Sequence, residues 1–229
     1  MNNGKRWWVG VIALLATARF ACAENWIEGQ HYFRIEPAPP ATASNRVTVT
    51  EVFSYGCPAC NGFQPYMAEL RRKLPAGVTL DYVPASWSAS EDWPVFQRAY
   101  LTAATLGVAQ REHDAMFDAI WKTGELAIVD PKTQRLVSPL PTIADVARFY
   151  ERTTGIPAAK FVATASSFAI EVGMRRADQQ VKSLQAERTP TLVINGKYRI
   201  DPASAGGAGQ LVNLALWLVN RELKPVAAR

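Results

Sequence analysis

The sequence predicts an α/β fold in which a block of helices is inserted into a small sheet domain. Two observations lead to this prediction. Segments rich in β-branched and aromatic residues, typical of strands, occur at 46–55 and 78–83, and again at 191–200. Between them, apolar residues recur only at helical spacing. A chain that leaves a sheet, forms several helices and returns to strands fits a helical domain inserted into an α/β domain.

The first part of the predicted sheet is a strand–helix–strand unit. Arg46–Tyr55 is the first strong strand, and a helix follows over about Cys57–Lys73, in which Pro65 is expected to cause a kink. Leu74–Gly77 closes this helix, and Val78–Val83 is the second strand. Two strands joined by a helix are expected to pair in parallel through a right-handed crossover.

The chain then becomes helical and later returns to the sheet. Helical periodicity alone covers Ser86–Gly173, and a further helix extends over Ser167–Gln185. Thr191–Ile194 and Lys197–Ile200 read as strands, joined by Asn195-Gly196, a strong signal for a two-residue hairpin turn. The last helix is amphipathic, with one apolar stripe formed by Leu211, Leu214, Trp217 and Leu218.

The first 23 residues have the pattern of a secretory signal peptide. A positively charged start precedes an apolar run at 7–18 and the small-residue site Ala21-Cys22-Ala23, so cleavage after Ala23 is expected. The run is shorter than the roughly 20 residues of a membrane-spanning helix, and Arg19 interrupts it. A retained anchor, or a lipid on Cys22, is the alternative.

Removal of this segment changes the charge of the protein. The full chain has 25 Lys and Arg against 20 Asp and Glu. Three of the basic residues and none of the acidic ones lie in the signal, which leaves a net charge of +2. Since no run of basic residues remains, nucleic acid is not predicted as a partner. The mature chain is long enough to form a core without disulfide staples, and of three cysteines it keeps only Cys57 and Cys60.

The motif Cys57-Pro58-Ala59-Cys60 lies where a predicted strand runs into a predicted helix. The first N–H groups of a helix have no intrahelical partners, and its dipole favours an anion there. A thiolate at Cys57 is therefore expected to be stabilised, with a pKa below the free value of about 8.5. Cys60, one turn further, would be the shielded resolving thiol. The pair predicts redox chemistry that alternates between a dithiol and a Cys57–Cys60 disulfide.

Zinc binding and structural stapling are weaker interpretations of the cysteine pair. A structural zinc needs four ligands, and besides the cysteines the mature chain offers only His31 and His113, which are far apart in sequence. No metal site is therefore predicted, and His113 is expected to be a surface or packing residue. A structural disulfide across so short a loop would constrain the unfolded chain little. A C-x-x-C pair in a strand–helix–strand context favours redox chemistry.

Residues 51–60 resemble the active-site strand and turn of the DsbA-type periplasmic thiol:disulfide oxidoreductases of the thioredoxin superfamily. The resemblance continues through Leu74–Val78, Leu106–Trp121 and Thr189–Tyr198, nearly the whole mature chain. It implies a thioredoxin fold with an inserted all-helical domain. The predicted segments are a signal peptide at 1–23, the first part of the thioredoxin-like domain at 24–85, the helical insertion at 86–173 and the second part of the thioredoxin-like domain at 174–229.

The resemblance also assigns residues that would contact a client protein. In thioredoxin folds a cis-proline faces the C-x-x-C turn, and Pro190 takes that place here. Thr189, just before it, would offer its backbone to an extended client chain, in the manner of strand addition. Pro58 and Ala59, between the two cysteines, are expected to complete the surface on which the client binds.

Glu51, six residues before Cys57, shares the alternation phase of Val49 and Phe53, so that a carboxyl group interrupts an apolar row. The resemblance identifies it with the buried glutamate that assists proton transfer at the resolving cysteine in this family. Burial would raise its pKa and allow such transfer near neutral pH. The alternatives are a solvated face or an ordinary ion pair. The lysine that usually accompanies this glutamate is missing, and Asp81-Tyr82 occupies the position.

The favoured function is that of a periplasmic oxidase. It would pass its disulfide to unfolded or folding exported proteins that contain cysteines, as a monomer without a cofactor, and a membrane-bound, quinone-linked protein would reoxidise it. The alternatives are a disulfide isomerase or reductase, and a redox-silent, chaperone-like binding module. About 20 residues before the first strand leave no room for the N-terminal dimerisation domain of such isomerases. Because Pro58-Ala59 lacks the histidine of the strongest oxidases, a milder oxidant is expected.

Overall fold

The structure is a computed structural model that describes residues 25–37 and 46–223, so the predicted signal peptide at 1–23 lies outside the described residues. Within the described ranges, five strands form one mixed sheet, accompanied by eight α-helices and one short 3₁₀-helix, Ala89–Glu91. The strands are β1 (Phe33–Arg34), β2 (Thr48–Phe53), β3 (Thr79–Pro84), β4 (Thr191–Ile194) and β5 (Tyr198–Ile200). The helices are α1 (Pro58–Lys73), α2 (Trp93–Thr105), α3 (Ala109–Trp121), α4 (Ile143–Thr154), α5 (Ala158–Ala165), α6 (Phe168–Ser183), α7 (Pro202–Ala205) and α8 (Ala208–Leu223).

The sheet has the strand order β1-β5-β4-β2-β3. Strand β2 pairs in parallel with β3, which confirms the strand–helix–strand prediction, and antiparallel with β4. In this register Glu51 lies between Tyr82 of β3 and Leu192 of β4. The strand that leads into the cysteine motif is therefore hydrogen-bonded on both sides.

The β4–β5 hairpin is the one that the sequence predicts. Asn195 and Gly196 both have positive φ, 53° and 67°, as a two-residue hairpin turn requires. Strand β1 was not predicted, because two residues are too few to show an alternation. It pairs antiparallel with β5 and closes that side of the sheet.

Helix α1 begins directly at the cysteine motif. Pro58 occupies its first turn, where a missing N–H has no cost, and basic residues in its last turn complement the helix dipole. The helix continues through Pro65, and the predicted kink there stays a prediction. Its buried face has helical spacing and consists of Cys60, Phe63, Met67 and Leu70.

The protein has two packed cores. One joins the strands to α1 and α8 and includes Met67, Ile194 and Leu218. The other joins the sheet to the helical block and includes Phe53 and Phe117. The final helix differs from the prediction in detail. Trp217 is exposed, while the buried face of α8 consists of Leu211, Val212, Leu214, Ala215, Leu218 and Val219, because the helix packs on both α1 and β4.

Helices α2–α6 lie between β3 and β4 in the chain, as the helical periodicity predicts. Helix α6 runs unbroken across the proposed boundary at 173/174 and packs on both α2 and β3. The helical block and the second part of the sheet domain are therefore joined by one continuous helix, with no break at the proposed boundary. None of the helices described in the structure is long and apolar enough to span a lipid bilayer.

Candidate active site

The cysteine motif follows β2 after one tight turn. The N–H of Cys57 donates to the carbonyl oxygen of Ser54 at 3.1 Å, and the N–H of Gly56 donates to the Ser54 hydroxyl at 3.2 Å. Cys57 is the N-cap of α1, and its Sγ accepts the backbone N–H of Cys60 at 3.3 Å. Both cysteines are free thiols in this structure. Cys57 is 5% exposed and Cys60 is fully buried, so only the first sulfur is open to a partner.

The two thiols have very different acidities. The pKa of Cys57 is lowered to about 6, chiefly by a hydrogen bond with the Cys60 thiol. Thr189 and the N–H groups of Cys60 and Ala59 lower it further, while burial acts in the opposite direction. Burial raises the pKa of Cys60 well above its usual range, and the nearby Cys57 sulfur raises it further. The site therefore favours a thiolate at Cys57 and a protonated thiol at Cys60.

The Thr189-Pro190 loop lies against the cysteine motif. The peptide bond before Pro190 is cis, as the resemblance implies, and Pro190 is buried. The Cys57 thiol donates to the carbonyl oxygen of Thr189 at 3.6 Å. The Thr191 hydroxyl, at the start of β4, donates to the carbonyl oxygen of Arg188 at 2.8 Å and closes the loop. Two distant parts of the chain thus meet at one sulfur atom.

Pro58 and Ala59 are exposed on the outer side of the turn. On another side lies an aromatic pair that the sequence did not reveal. The Trp87 ring stacks on the Trp93 ring at 6.2 Å between centroids, and Trp87 is 47% exposed. Trp93 in turn contacts Gly56, the residue before the first cysteine. The aromatic pair, Trp87 and Trp93, therefore places apolar surface beside the cysteine motif.

Glu51 is fully buried, and neither of its carboxylate oxygens accepts a hydrogen bond within the described part of the chain. The solvated face considered from the sequence is therefore wrong, and no ion pair with a described residue holds the carboxyl group. Burial raises the pKa of Glu51 to about 8, while the charge of Arg71 acts in the opposite direction. An uncharged, titratable carboxyl group near neutral pH can give or take a proton inside the core.

The ring of His113 is buried, which excludes the surface position considered from the sequence and leaves packing. The hydroxyl of Tyr55 and Nδ1 of His113 are 3.1 Å apart, and the Trp121 indole N–H donates to the carbonyl oxygen of Tyr55 at 2.8 Å. Burial lowers the pKa of His113 to about 3. A sequence signal existed, because His113 shares helical spacing with Phe117 and Ile120 on the apolar face of α3.

Across residues 25–37 and 46–223, no three His, Cys, Asp or Glu side chains come together in an arrangement that could hold a metal ion.

Comparison with known proteins gives consistent results. The thioredoxin family model matches residues 42–213. The thiol:disulfide interchange protein DsbA of Pseudomonas aeruginosa is 33% identical over 92% of this chain and 94% of its own length. The alignment with the crystal structure of P. aeruginosa DsbA covers 87% of this chain and 96% of that chain, with a TM-score of 0.71 and 32% identity. The crystal structure of Xylella fastidiosa DsbA covers 84% and 95%, with a TM-score of 0.71 and 29% identity. These similarities confirm the predicted thioredoxin fold.

Proposed function

Since the chain belongs to the DsbA family of thioredoxin-fold thiol:disulfide interchange proteins, we propose that Cys57 is its nucleophilic cysteine and Cys60 its resolving cysteine. The chain is a thiol–disulfide oxidoreductase. The observation that carries the assignment of the cysteines is the hydrogen bond from the Cys60 N–H to Cys57 Sγ at 3.3 Å. It stabilises a thiolate at the only sulfur of the pair that has any exposure.

The proposed reaction transfers a disulfide from the protein to a client. A client thiolate attacks Sγ of Cys57 in the Cys57–Cys60 disulfide, and a mixed disulfide forms while Cys60 leaves and takes up a proton. A second client thiolate then attacks the client sulfur of the mixed disulfide, and Cys57 leaves as a thiolate. The client loses two electrons and the Cys57–Cys60 pair gains them. Because Cys57 is a good leaving group at neutral pH, this direction, oxidation of the client, is favoured.

We propose that Glu51 supplies the proton that Cys60 needs. Cys60 and Glu51 are both fully buried, and a negative charge on Glu51 raises the pKa of Cys60. A carboxyl group with a pKa of about 8 is still largely protonated at pH 7 and can therefore act as the proton donor. It receives a proton again when the client thiols release theirs to the solvent.

The client would lie along the Thr189-Pro190 loop. In the oxidised protein Cys57 has no thiol hydrogen to donate, so the Thr189 carbonyl oxygen can accept the N–H of an extended chain, whatever the client sequence. The exposed Pro58 and Ala59 and the aromatic pair add apolar surface, which suits unfolded chains. We further propose a periplasmic location after cleavage behind Ala23, a monomeric protein, and reoxidation by a membrane-bound, quinone-linked protein.

Oxidative refolding of a reduced, unfolded client tests this function. With oxidised glutathione as the oxidant, we expect Cys57→Ser to abolish the acceleration of disulfide formation. We expect Cys60→Ser, its matched control, to accumulate a mixed disulfide of Cys57 with the client. Equilibration with glutathione should give a reduction potential above that of thioredoxin, about −270 mV. Full activity of Cys57→Ser would contradict the proposal. A potential at or below that of thioredoxin would instead indicate a reductase.

A further inference from the structure

Residues from three structural elements, β3, α1 and α3, lie near Glu51. Tyr82 is the partner of Glu51 on the neighbouring strand β3, so their side chains lie next to each other on one face of the sheet. The Tyr82 hydroxyl accepts a hydrogen bond from Nη2 of Arg71, in the last turn of α1, at 2.9 Å. Nη1 of Arg71 lies 3.5 Å from Oδ2 of Asp114, on α3. The guanidinium group is thus held by two partners at the edge of the core.

Arg71 is the cation that acts on the buried carboxyl group. Its charge opposes the effect of burial on the pKa of Glu51, while Asp114 and Cys57 act in the same direction as burial. The Arg71 side chain is 44% exposed, whereas Glu51 is fully buried. The titratable or charged groups that face this region from the packed elements are Cys57, Cys60, Arg71, Asp81, Tyr82, Tyr100, His113 and Asp114.

We infer that Arg71 is a positioning residue for the redox reaction: held by the Tyr82 hydroxyl and by Asp114, its guanidinium group keeps the buried Glu51 carboxyl able to exchange a proton with Cys60. The inference rests on the proposed function, in which Cys60 is the resolving thiol. Without this cation, a carboxyl group in an apolar site would hold its proton far more tightly. The group could then donate a proton once but would recover its charged form too rarely to accept one.

Proton acceptance is needed when the protein is oxidised again. The oxidant, a disulfide, first forms a mixed disulfide with Cys57 and releases its other half as a thiol. Cys60 must then lose its proton to the Glu51 carboxylate, and its sulfur attacks Sγ of Cys57. The Cys57–Cys60 disulfide forms, the second half of the oxidant leaves as a thiolate, and the oxidant has gained two electrons. The proton on Glu51 passes to the solvent.

The competing possibility is an ordinary surface ion pair between Arg71 and Asp114. Such a pair contributes about 0–1 kcal/mol to stability and has no effect on a reaction rate. A positioning role for Arg71 therefore differs from a surface ion pair in its effect on the pH profile of mixed-disulfide resolution. The two possibilities do not differ in their effect on the stability of the protein.

The test is stopped-flow oxidation of the reduced protein by oxidised glutathione from pH 6 to about pH 9.5, with formation and resolution of the mixed disulfide measured separately. We expect Arg71→Met to move the midpoint of the pH profile of the resolution rate upward by about one pH unit. The resolution step would then be about tenfold slower at pH 7. Arg71→Lys, which keeps the charge, should restore most of the rate. Arg72→Met, an exposed neighbour on the same helix turn, is the matched control and should behave as the unaltered protein.

A double-mutant cycle makes the assignment to Glu51 specific. In a Glu51→Gln background, Arg71→Met should have no further effect on the profile of the resolution step. The inference is wrong if Arg71→Met and Arg72→Met give the same profile, or if the effect of Arg71→Met persists without Glu51. Failure of the proposed function would look different, because the first step, at Cys57, would then be absent in the unaltered protein as well.

Discussion

The indole ring of Trp93 covers Gly56, the residue just before the first active-site cysteine. A β-carbon built on Gly56 would lie 2.8 Å from Cδ1 of Trp93 and 3.0 Å from the carbonyl oxygen of Glu91. The first distance is shorter than real β-carbon contacts, and the second, to a backbone atom, is tighter than almost all of them. The turn that presents Cys57 therefore depends on the absence of a side chain at this position.

We expect Gly56→Ala to destabilise the protein by about 1–3 kcal/mol, since Trp93 or the 89–91 backbone must move. Gly62→Ala is the matched control, because a β-carbon at that exposed position in α1 meets nothing within 4 Å. In a helix interior this change should stabilise by about 0.5–1 kcal/mol. Urea unfolding measures both free energies. Equal effects of the two substitutions would show that the Trp93 contact is not rigid.

The thiolate at Cys57 should make the reduced protein more stable than the oxidised one. Because the folded pKa, about 6, is below the unfolded value of about 8.5, the stabilisation is complete above the unfolded value and is lost as the pH falls through 6. At pH 7 it amounts to about 1.4 kcal/mol. Thiolate absorbance measured against pH gives the pKa of Cys57, and thermal unfolding of the reduced and oxidised forms gives their difference in stability. A midpoint near 8.5 would contradict the prediction.

Glu51 should produce the opposite dependence on pH. Its folded pKa, about 8, lies above the usual value of 4.5, so the unfolded chain ionises first and stability decreases as the pH rises from about 5 to 8. Glu51→Gln should remove this decrease and be the more stable protein at pH 8. The oxidised form is the one to unfold in urea, because its cysteines do not titrate. A decrease of the same size in both proteins would exclude Glu51 as its source.

Trp87 should matter for large substrates and not for small ones. If the aromatic pair binds unfolded clients, Trp87→Ala should raise the KM for a reduced, unfolded protein by about tenfold, equivalent to about 1.4 kcal/mol of lost contact. The reaction with glutathione should not change. Ile27→Ala is the control, since Ile27 has almost the same exposure, 48%, on the N-terminal segment. Similar effects of both substitutions would indicate general loss of apolar surface.

Much of the site could be predicted because it is encoded locally. The thiolate at Cys57 follows from a strand that runs into a helix, and the burial of Glu51 follows from strand alternation. The environment of Glu51 could not be predicted, because Arg71, Tyr82 and Asp114 come from three elements whose packing no periodicity specifies. The exposure of Trp217 was missed for a similar reason. Helical spacing shows which residues share a face but not how wide the contact with the neighbouring elements is.

If the protein is exported as proposed, the contact between Cys57 and Thr189 also has a consequence for the order in which it becomes functional. If the chain crosses the membrane from its N-terminus, the cysteine motif emerges early, but the loop that faces it follows 132 residues later. The central strand β2 lacks its β4 partner until then as well. A partly translocated chain would therefore carry both thiols without the Thr189-Pro190 loop that is proposed to bind clients, so a nascent molecule would not act efficiently on clients before its own translocation is almost complete.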